Sequence, residues 1–175
     1  MKIAITGTQG TGKSTLLNHL REDKALEGYE FIGEQTKMIK DKGFGINQEG
    51  SNLTQVLSVN VHLDNIFKPK YITDRCILDS LVYTRWLQMD EKVGDWALIY
   101  AMGMAEELLP KYDHIFYIPV EIPLVENGLR DTDEDFQADI EYLFEEYIKQ
   151  YKIKVHRLTG SVEERAKEFK KVILS

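Results

Sequence analysis

The sequence has a single cysteine, Cys76, so no internal disulfide can form, and the residue reads as a reduced core thiol. It lacks any apolar run approaching the roughly 20 residues of a membrane span. Behind Met1 stands one basic residue, Lys2, and then "IAIT", which reads as the start of a strand rather than a signal peptide. A cytoplasmic address is expected, the host cytoplasm if the chain is phage-encoded. Histidine is scarce: His19, His62, His114 and His156 are scattered without ligand spacing, which argues against a structural metal site. Basic residues are outnumbered, 22 Lys and Arg against 29 Asp and Glu, and the net charge of −7 disfavours a broad nucleic-acid surface. A local basic pocket remains compatible with that balance. No repeat or low-complexity segment is seen. What remains, at 175 residues, 43% apolar and 29% charged, is the composition of one soluble globular domain over 1–175.

Apolar runs and helical patterns alternate along the chain. "KIAITG", "YEFIGE", "KYITD", "DHIFYIPV" and "IKVHRLTG" read as five strands. Helical spacing follows in "KSTLLNHLRED", "TKMIKDK", "LTQVLSVNVHLDNIF", "ILDSLVYTRWLQM", "WALIYAMGMAEELLP", "FQADIEYLFEEYIKQY" and "SVEERAKEFKKVI". Ser161 and Glu164 have the spacing of a capping box. Strands separated by helices predict an α/β fold with a mostly parallel sheet, and ligands of such sheets bind beyond the carboxyl ends of the strands. Trp86, Trp96 and Tyr100 read as core rather than as a base-stacking platform.

The loop after the first strand carries the strongest motif. Gly7, Thr8, Gln9, Gly10, Thr11, Gly12, Lys13 and Ser14 fit G-x-x-x-x-G-K-[ST] without a gap, and Thr15 follows. Glycines let the backbone wrap closely around a phosphate, and successive N–H groups form an anion nest. The helix that starts at Lys13 adds its positive end. Lys13 is expected to reach the β and γ phosphates, and Ser14 to ligate Mg²⁺. The expected ligand is therefore a nucleoside triphosphate, ATP with Mg²⁺. A guanine-reading N-K-x-D is absent, which argues against a GTPase of the usual kind.

The remaining candidates sit at strand ends. Asp74 closes the third strand, where a carboxylate can hold Mg²⁺, and Arg75 beside it can clamp phosphate oxygens; the alternative is a strand-end salt bridge. Glu34 follows the second strand and can act as general base or hold the acceptor, or be a solvated acid. Lys37 can add positive charge, though a surface role is favoured. The segment 121–136 reads as a lid-like loop with Arg130 as its basic residue, suited to neutralising the moving phosphoryl group or to stacking on a base, or else exposed and balancing nearby aspartates. Asp79, Tyr83 and Arg85 are weaker candidates for an acceptor pocket, with packing roles equally open. Gly43 to Asn47 and Leu53 to Gln55 can shape that pocket.

On "GTQGTGKST", "GEQTK", "KGFGIN…LTQ", "TDR" with "LDSLVYTRW", and "NGLRDTDEDFQADIE", nearly the whole chain resembles the NadR-like P-loop domain group, which includes ribosylnicotinamide kinase domains and phage-encoded small ATPases or nucleotide kinases. Lys37 stands where similar members often carry arginine. The match to deoxynucleoside and thymidylate kinases is more distant, resting on the P-loop and the Asp74-Arg75 pair. The resemblance implies a three-layer P-loop fold with five parallel strands in the order 2-3-1-4-5. It also implies ATP-dependent phosphoryl transfer to a nucleoside, nucleotide or related small molecule, with a homodimer possible. Two other readings stay open: a regulatory NTPase module acting on a protein partner, and a polynucleotide end kinase, which the acidic balance opposes.

Overall fold

The computed structural model describes residues 1–121 and 134–175. Most of the expected lid, and Arg130 with it, lies outside the described residues. The strands are β1 (Lys2–Thr6), β2 (Glu30–Ile32), β3 (Tyr71–Asp74), β4 (His114–Tyr117) and β5 (Val155–Arg157). The helices are α1 (Lys13–Arg21), α2 (Thr36–Asp41), α3 (Asn52–Asn65), α4 (Ile77–Met89), α5 (Asp95–Leu108), α6 (Glu134–Gln150) and α7 (Val162–Ile173). All five strands are parallel, in the order β2-β3-β1-β4-β5, as the sequence predicts.

The alternation of side chains divides the interior in two. Ile3 and Ile5 of β1, Ile72 of β3 and Phe116 of β4 face the layer that contains Leu16, Leu20 and Phe169 of α1 and α7. Ala4, Tyr71, Ile115 and Tyr117, one residue out of phase, face Val59, Leu81, Ala101 and Phe144 of α3, α4, α5 and α6. Because side chains on a strand alternate faces, near-continuous apolar strands are what a sheet covered on both sides requires. Each large side chain so buried contributes at most about 1.5–3 kcal/mol. The Ser161–Glu164 capping box forms: Glu164 N donates to Ser161 Oγ (3.2 Å) and Ser161 N donates to Glu164 Oε2 (2.8 Å).

Two expectations need correction. Trp96 is not core but 55% exposed, while Trp86 is half-buried against Phe136 (ring centroids 4.6 Å apart) and Tyr100 is half-buried. Helical spacing alone does not separate the inward stripe of α5 from its outward one. The histidines are not all scattered in space either, since β4 and β5 bring His114 Nδ1 to 3.2 Å from His156 Nε2. Among the described residues no helix is long and apolar enough to cross a membrane.

Candidate nucleotide-binding site

The register sets Ile5 beside Asp74 and Thr6 beside Tyr117, so the loop after β1 and the segment after β3 leave the sheet together. Gly7 takes φ +138°, and a Cβ there would stand 2.4 Å from the Ile118 carbonyl oxygen; no side chain fits. Gly12 sits at the N-cap of α1 with φ +88°. No side chain caps that helix and no acid lies in its first turn, so its leading amides are left for an anion.

The loop is braced from three sides. Thr8 Oγ1 and Tyr83 OH both donate to Gln9 Oε1 (2.8 and 2.6 Å), and Gln137 Nε2 of α6 donates to the Gln9 carbonyl (2.8 Å). Arg165 of α7 donates to the Thr11 carbonyl (2.7 Å) and pairs with Glu121 (2.8 Å), which also accepts from Gly160 N. Sequence reasoning missed Gln137 and Arg165. Both sit in amphipathic helices where a polar residue reads as surface, yet both are buried.

Lys13 is buried, and its Nζ donates to the Thr8 carbonyl (2.6 Å). Burial, with Arg75 nearby, pushes its ammonium down to about 8. A bound polyphosphate restores the charge, so binding should draw in a proton wherever the free protein holds Lys13 neutral. Calorimetry of ATP binding in buffers of different ionisation enthalpy is expected to show uptake approaching one proton above about pH 8 and little at pH 7.

Across the cleft stands a charged cluster. Ser14 Oγ donates to Asp74 Oδ2 (2.5 Å), while Asp74 Oδ1 is buried without a partner. Arg75 lies in the left-handed region, φ +76°, unusual for a side chain of its size and costing about 1–3 kcal/mol. That turn aims its guanidinium at Glu34 (Nε–Oε1, 2.9 Å) and Asp79 (3.3 Å), over the Tyr83 ring. Arg75 holds the Glu34 carboxyl down to about 2, assisted by the Thr36 hydroxyl (2.8 Å). Asp79 also accepts from Thr6 Oγ1 (2.7 Å) and Cys76 N (2.9 Å), and burial pushes its carboxyl up. Cys76 is fully buried, and burial raises its thiol far above the ordinary range.

Beneath this cluster a narrow inner cavity lies between α2, α3 and α4. Thr36, Asn47, Thr54, Gln55, Ser58, Ser80 and Tyr83 line it, with Ile39 and Ile46, and Arg75 and Asp79 at its charged end. Its walls are locked by Ser58–Ser80 (2.7 Å) and by Thr84 donating to Gln55 Oε1 (2.9 Å). The outer cleft is lined by Gln9, Gly10, Gly12, Lys13, Ser14 and Glu34, and by the exposed Lys37 and Lys40. Thus Lys13, Ser14, Glu34, Asp74, Arg75, Asp79 and Tyr83 converge. Arg85 does not; it lines neither space and bonds Gln88 (2.7 Å) on its own helix. Ser14 with Asp74, one oxygen of which is unpartnered, suits Mg²⁺, which takes one or two protein oxygens and fills its octahedron with water and phosphate. Among the described residues no group of three or more His, Cys, Asp or Glu could hold a metal alone.

Comparison with known proteins agrees with this geometry. Deoxyadenosine kinase from M. mycoides with bound dATP superposes with a TM-score of 0.73 at 18% identity, each chain covered in full. NadR in complex with NR superposes with a TM-score of 0.71 at 15% identity, over 97% of this chain and 50% of that one. The chain thus spans about half the length of NadR. These likenesses establish the five-stranded nucleoside-kinase-like P-loop fold. No curated protein sequence matches. The family model described as AAA domain matches residues 2–165, and the chain belongs to that P-loop family.

Proposed function

We propose that the chain transfers the terminal phosphoryl group of ATP to a hydroxyl of a nucleoside-like molecule held in the inner cavity. The observation that carries this reading is that Arg75 lines both spaces, the outer cleft at the glycine loop and the inner cavity below it. Arg75 is the charged residue common to both linings, with Ile46 and Asn47 beside it, so in this reading its guanidinium faces the phosphoryl group in transit.

The acceptor oxygen bonds to the γ phosphorus, the bond to the ADP oxygen breaks, and the hydroxyl proton is released as the ester forms. Little covalent chemistry falls to the protein; positioning and charge stabilisation do most of the work. In this reading Lys13 and the amides of residues 7–15 hold the triphosphate. Ser14 and Asp74 would hold Mg²⁺, which when bound supplies neutralising charge to the phosphate oxygens. Arg75 faces the moving phosphoryl group, and Arg130 of the lid segment is proposed to add a second cation. A carboxylate held at about 2 is a weak base, so Glu34 is assigned to orienting the acceptor hydroxyl rather than deprotonating it.

Charge narrows the acceptor. The cation of the inner cavity, Arg75, is already paired with Glu34 and Asp79, and the other polar lining groups are neutral. A second phosphate there would meet the Asp79 carboxylate and, among the described residues, no cation but the already paired Arg75, which favours an unphosphorylated nucleoside over a monophosphate. ADP release measured with ATP, Mg²⁺ and a panel of nucleosides and their 5′-monophosphates tests this. Nucleosides are expected to stimulate release; stimulation by monophosphates alone would reverse the assignment.

A second reading is a module whose nucleotide state acts on a protein partner. Slow hydrolysis indifferent to every nucleoside but altered by a protein would favour it.

A further inference from the structure

A further cavity lies at the opposite end of the sheet, between the carboxyl end of α5, the start of β4 and the turn that joins α6 to β5. It measures about 420 Å³. That falls inside the range of roughly 300–1,000 Å³ found for small-molecule sites. The length of β4 separates it from the glycine loop: Asp113 and Ile115 line the cavity at the start of the strand, whereas Ile118, past its end, abuts Gly7. Nothing in the proposed phosphoryl transfer uses this space.

Its walls are apolar and aromatic. Leu109 and Ile115 come from the core, and the half-buried Ile153 from the turn. Two lining rings are held by neighbours. Tyr112 stands edge-on to Tyr71 (centroids 6.4 Å apart, planes at 82°), and Tyr151 packs on Tyr147 (5.9 Å). Such walls suit a flat ring, which stacks on them or meets them edge to face.

The charges of the lining run against those of the chain. Lys152 and Lys154, both exposed, stand with Glu106 and Asp113. Asp113 is engaged: its Oδ2 accepts from Lys2 N (2.6 Å) and lies 3.9 Å from the amino terminus. Among the described residues neither lysine ammonium has a hydrogen-bond or ion-pair partner. Two unpaired cations thus face Glu106 alone, in a chain of net charge −7. Lys152 is also held against its backbone preference. It follows α6 in the left-handed region, φ +51°, where a helix end usually carries glycine. The Lys152 N–H bonds the Lys149 carbonyl and the Ile153 N–H the Ile148 carbonyl, which fixes the turn. A side chain kept in such a conformation costs stability, and that cost is typical of binding sites.

We infer that this cavity is a second small-molecule site, for a flat aromatic anion whose ring packs on Tyr112 and Tyr151 and whose charged group meets Lys152 and Lys154. Charge selects the class. A cation would meet both lysines, and an uncharged ring would leave them unused. A carboxylate and a phosphate satisfy the lysines equally, and the test separates them.

The probe is anilinonaphthalene sulfonate, a fused-ring aromatic anion, titrated into the full chain while the β,γ-imido analogue of ATP and Mg²⁺ fill the glycine-loop cleft. Fluorescence and calorimetry are expected to give one site per chain. The double variant Lys152→Glu, Lys154→Glu should bind the probe at least about tenfold more weakly, and the corresponding double arginine variant as well as the wild type. Both lysines are exposed, so thermal melts should show each variant folded. Phenylnaphthylamine, the same rings without the sulfonate, should bind at least about tenfold more weakly than the sulfonate. Lys152→Gly should melt above the wild type yet bind the probe less tightly, a split that a merely structural lysine would not produce. Indole acetate and AMP then compete for the site, and the one that displaces the probe at lower concentration assigns a carboxylate or a phosphate ligand. Absence of binding, unchanged binding in the glutamate variant or in Lys152→Gly, equal binding of the uncharged compound, or displacement by neither competitor would each overturn the inference.

Discussion

Lys13→Ala is expected to abolish measurable turnover, lowering it by on the order of 10²–10³ or more, while the protein stays folded. The two halves of that expectation have separate causes. Lys13 supplies a mobile positive charge buried in the glycine loop, where developing charge on the terminal phosphate is least screened by water. Lys37 and Lys40 also line the cleft, but both are exposed to solvent where Lys13 is buried. The folded state, in contrast, gains little from the ammonium. Burial dominates its environment and pushes it down to about 8, so the lost charge was unfavourable in the free protein. Two hydrogen bonds, to the Thr8 carbonyl (2.6 Å) and a long one to Thr11 Oγ1 (3.5 Å), are lost with it. A thermal melt near that of the wild type, together with lost ATP binding by calorimetry, is the combined result expected. A variant that binds and turns over ATP normally would remove Lys13 from the site.

Glu34→Gln should lower phosphoryl transfer by about 10²-fold and leave ATP binding intact. The amide keeps the shape but loses the negative charge that pairs with Arg75 and that is proposed to orient an acceptor hydroxyl. Arg75 retains Asp79, so the guanidinium stays in the cleft. The pH dependence separates orientation from base catalysis. With Arg75 holding it at about 2, Glu34 is fully ionised from pH 5 upward and should contribute no acid limb to kcat there. A limb near neutral pH that disappears in Glu34→Gln would show a general base instead. The same shift fixes a stability sign: a carboxyl depressed in the folded state stabilises it above its unfolded value near 4.5, and that contribution fades as pH falls toward 2.

Much of the fold was legible because its signals are local. The alternation of apolar strands with helical periods fixes the class, and the α4 boundaries coincide with "ILDSLVYTRWLQM". The strands were read too long: β2 is three residues, and Glu34 lies two residues beyond it, because the pairing with β3 ends at Ile32 and Thr73. The site was legible where it hangs on strand ends, at Lys13, Ser14, Asp74 and Arg75. The parts that come from distant helices were not. Gln137 and Arg165 reach the loop across 128 and 154 residues, and no spacing in the chain encodes such contacts. Trp96 was misplaced for the opposite reason: its helix is apolar on more than one face, so periodicity could not say which face meets the core. The role of Arg130 falls outside the described residues and is carried by the resemblance and the composition of its loop.

The central claim is that the glycine-loop cleft and the inner cavity are two halves of one transfer site. Following the terminal phosphate of γ-labelled ATP, in the presence of Mg²⁺ and a mixture of nucleosides, tests it most directly. Label is expected in a nucleoside monophosphate, with almost none in inorganic phosphate. Label released only as inorganic phosphate, at a rate no nucleoside alters, would contradict it.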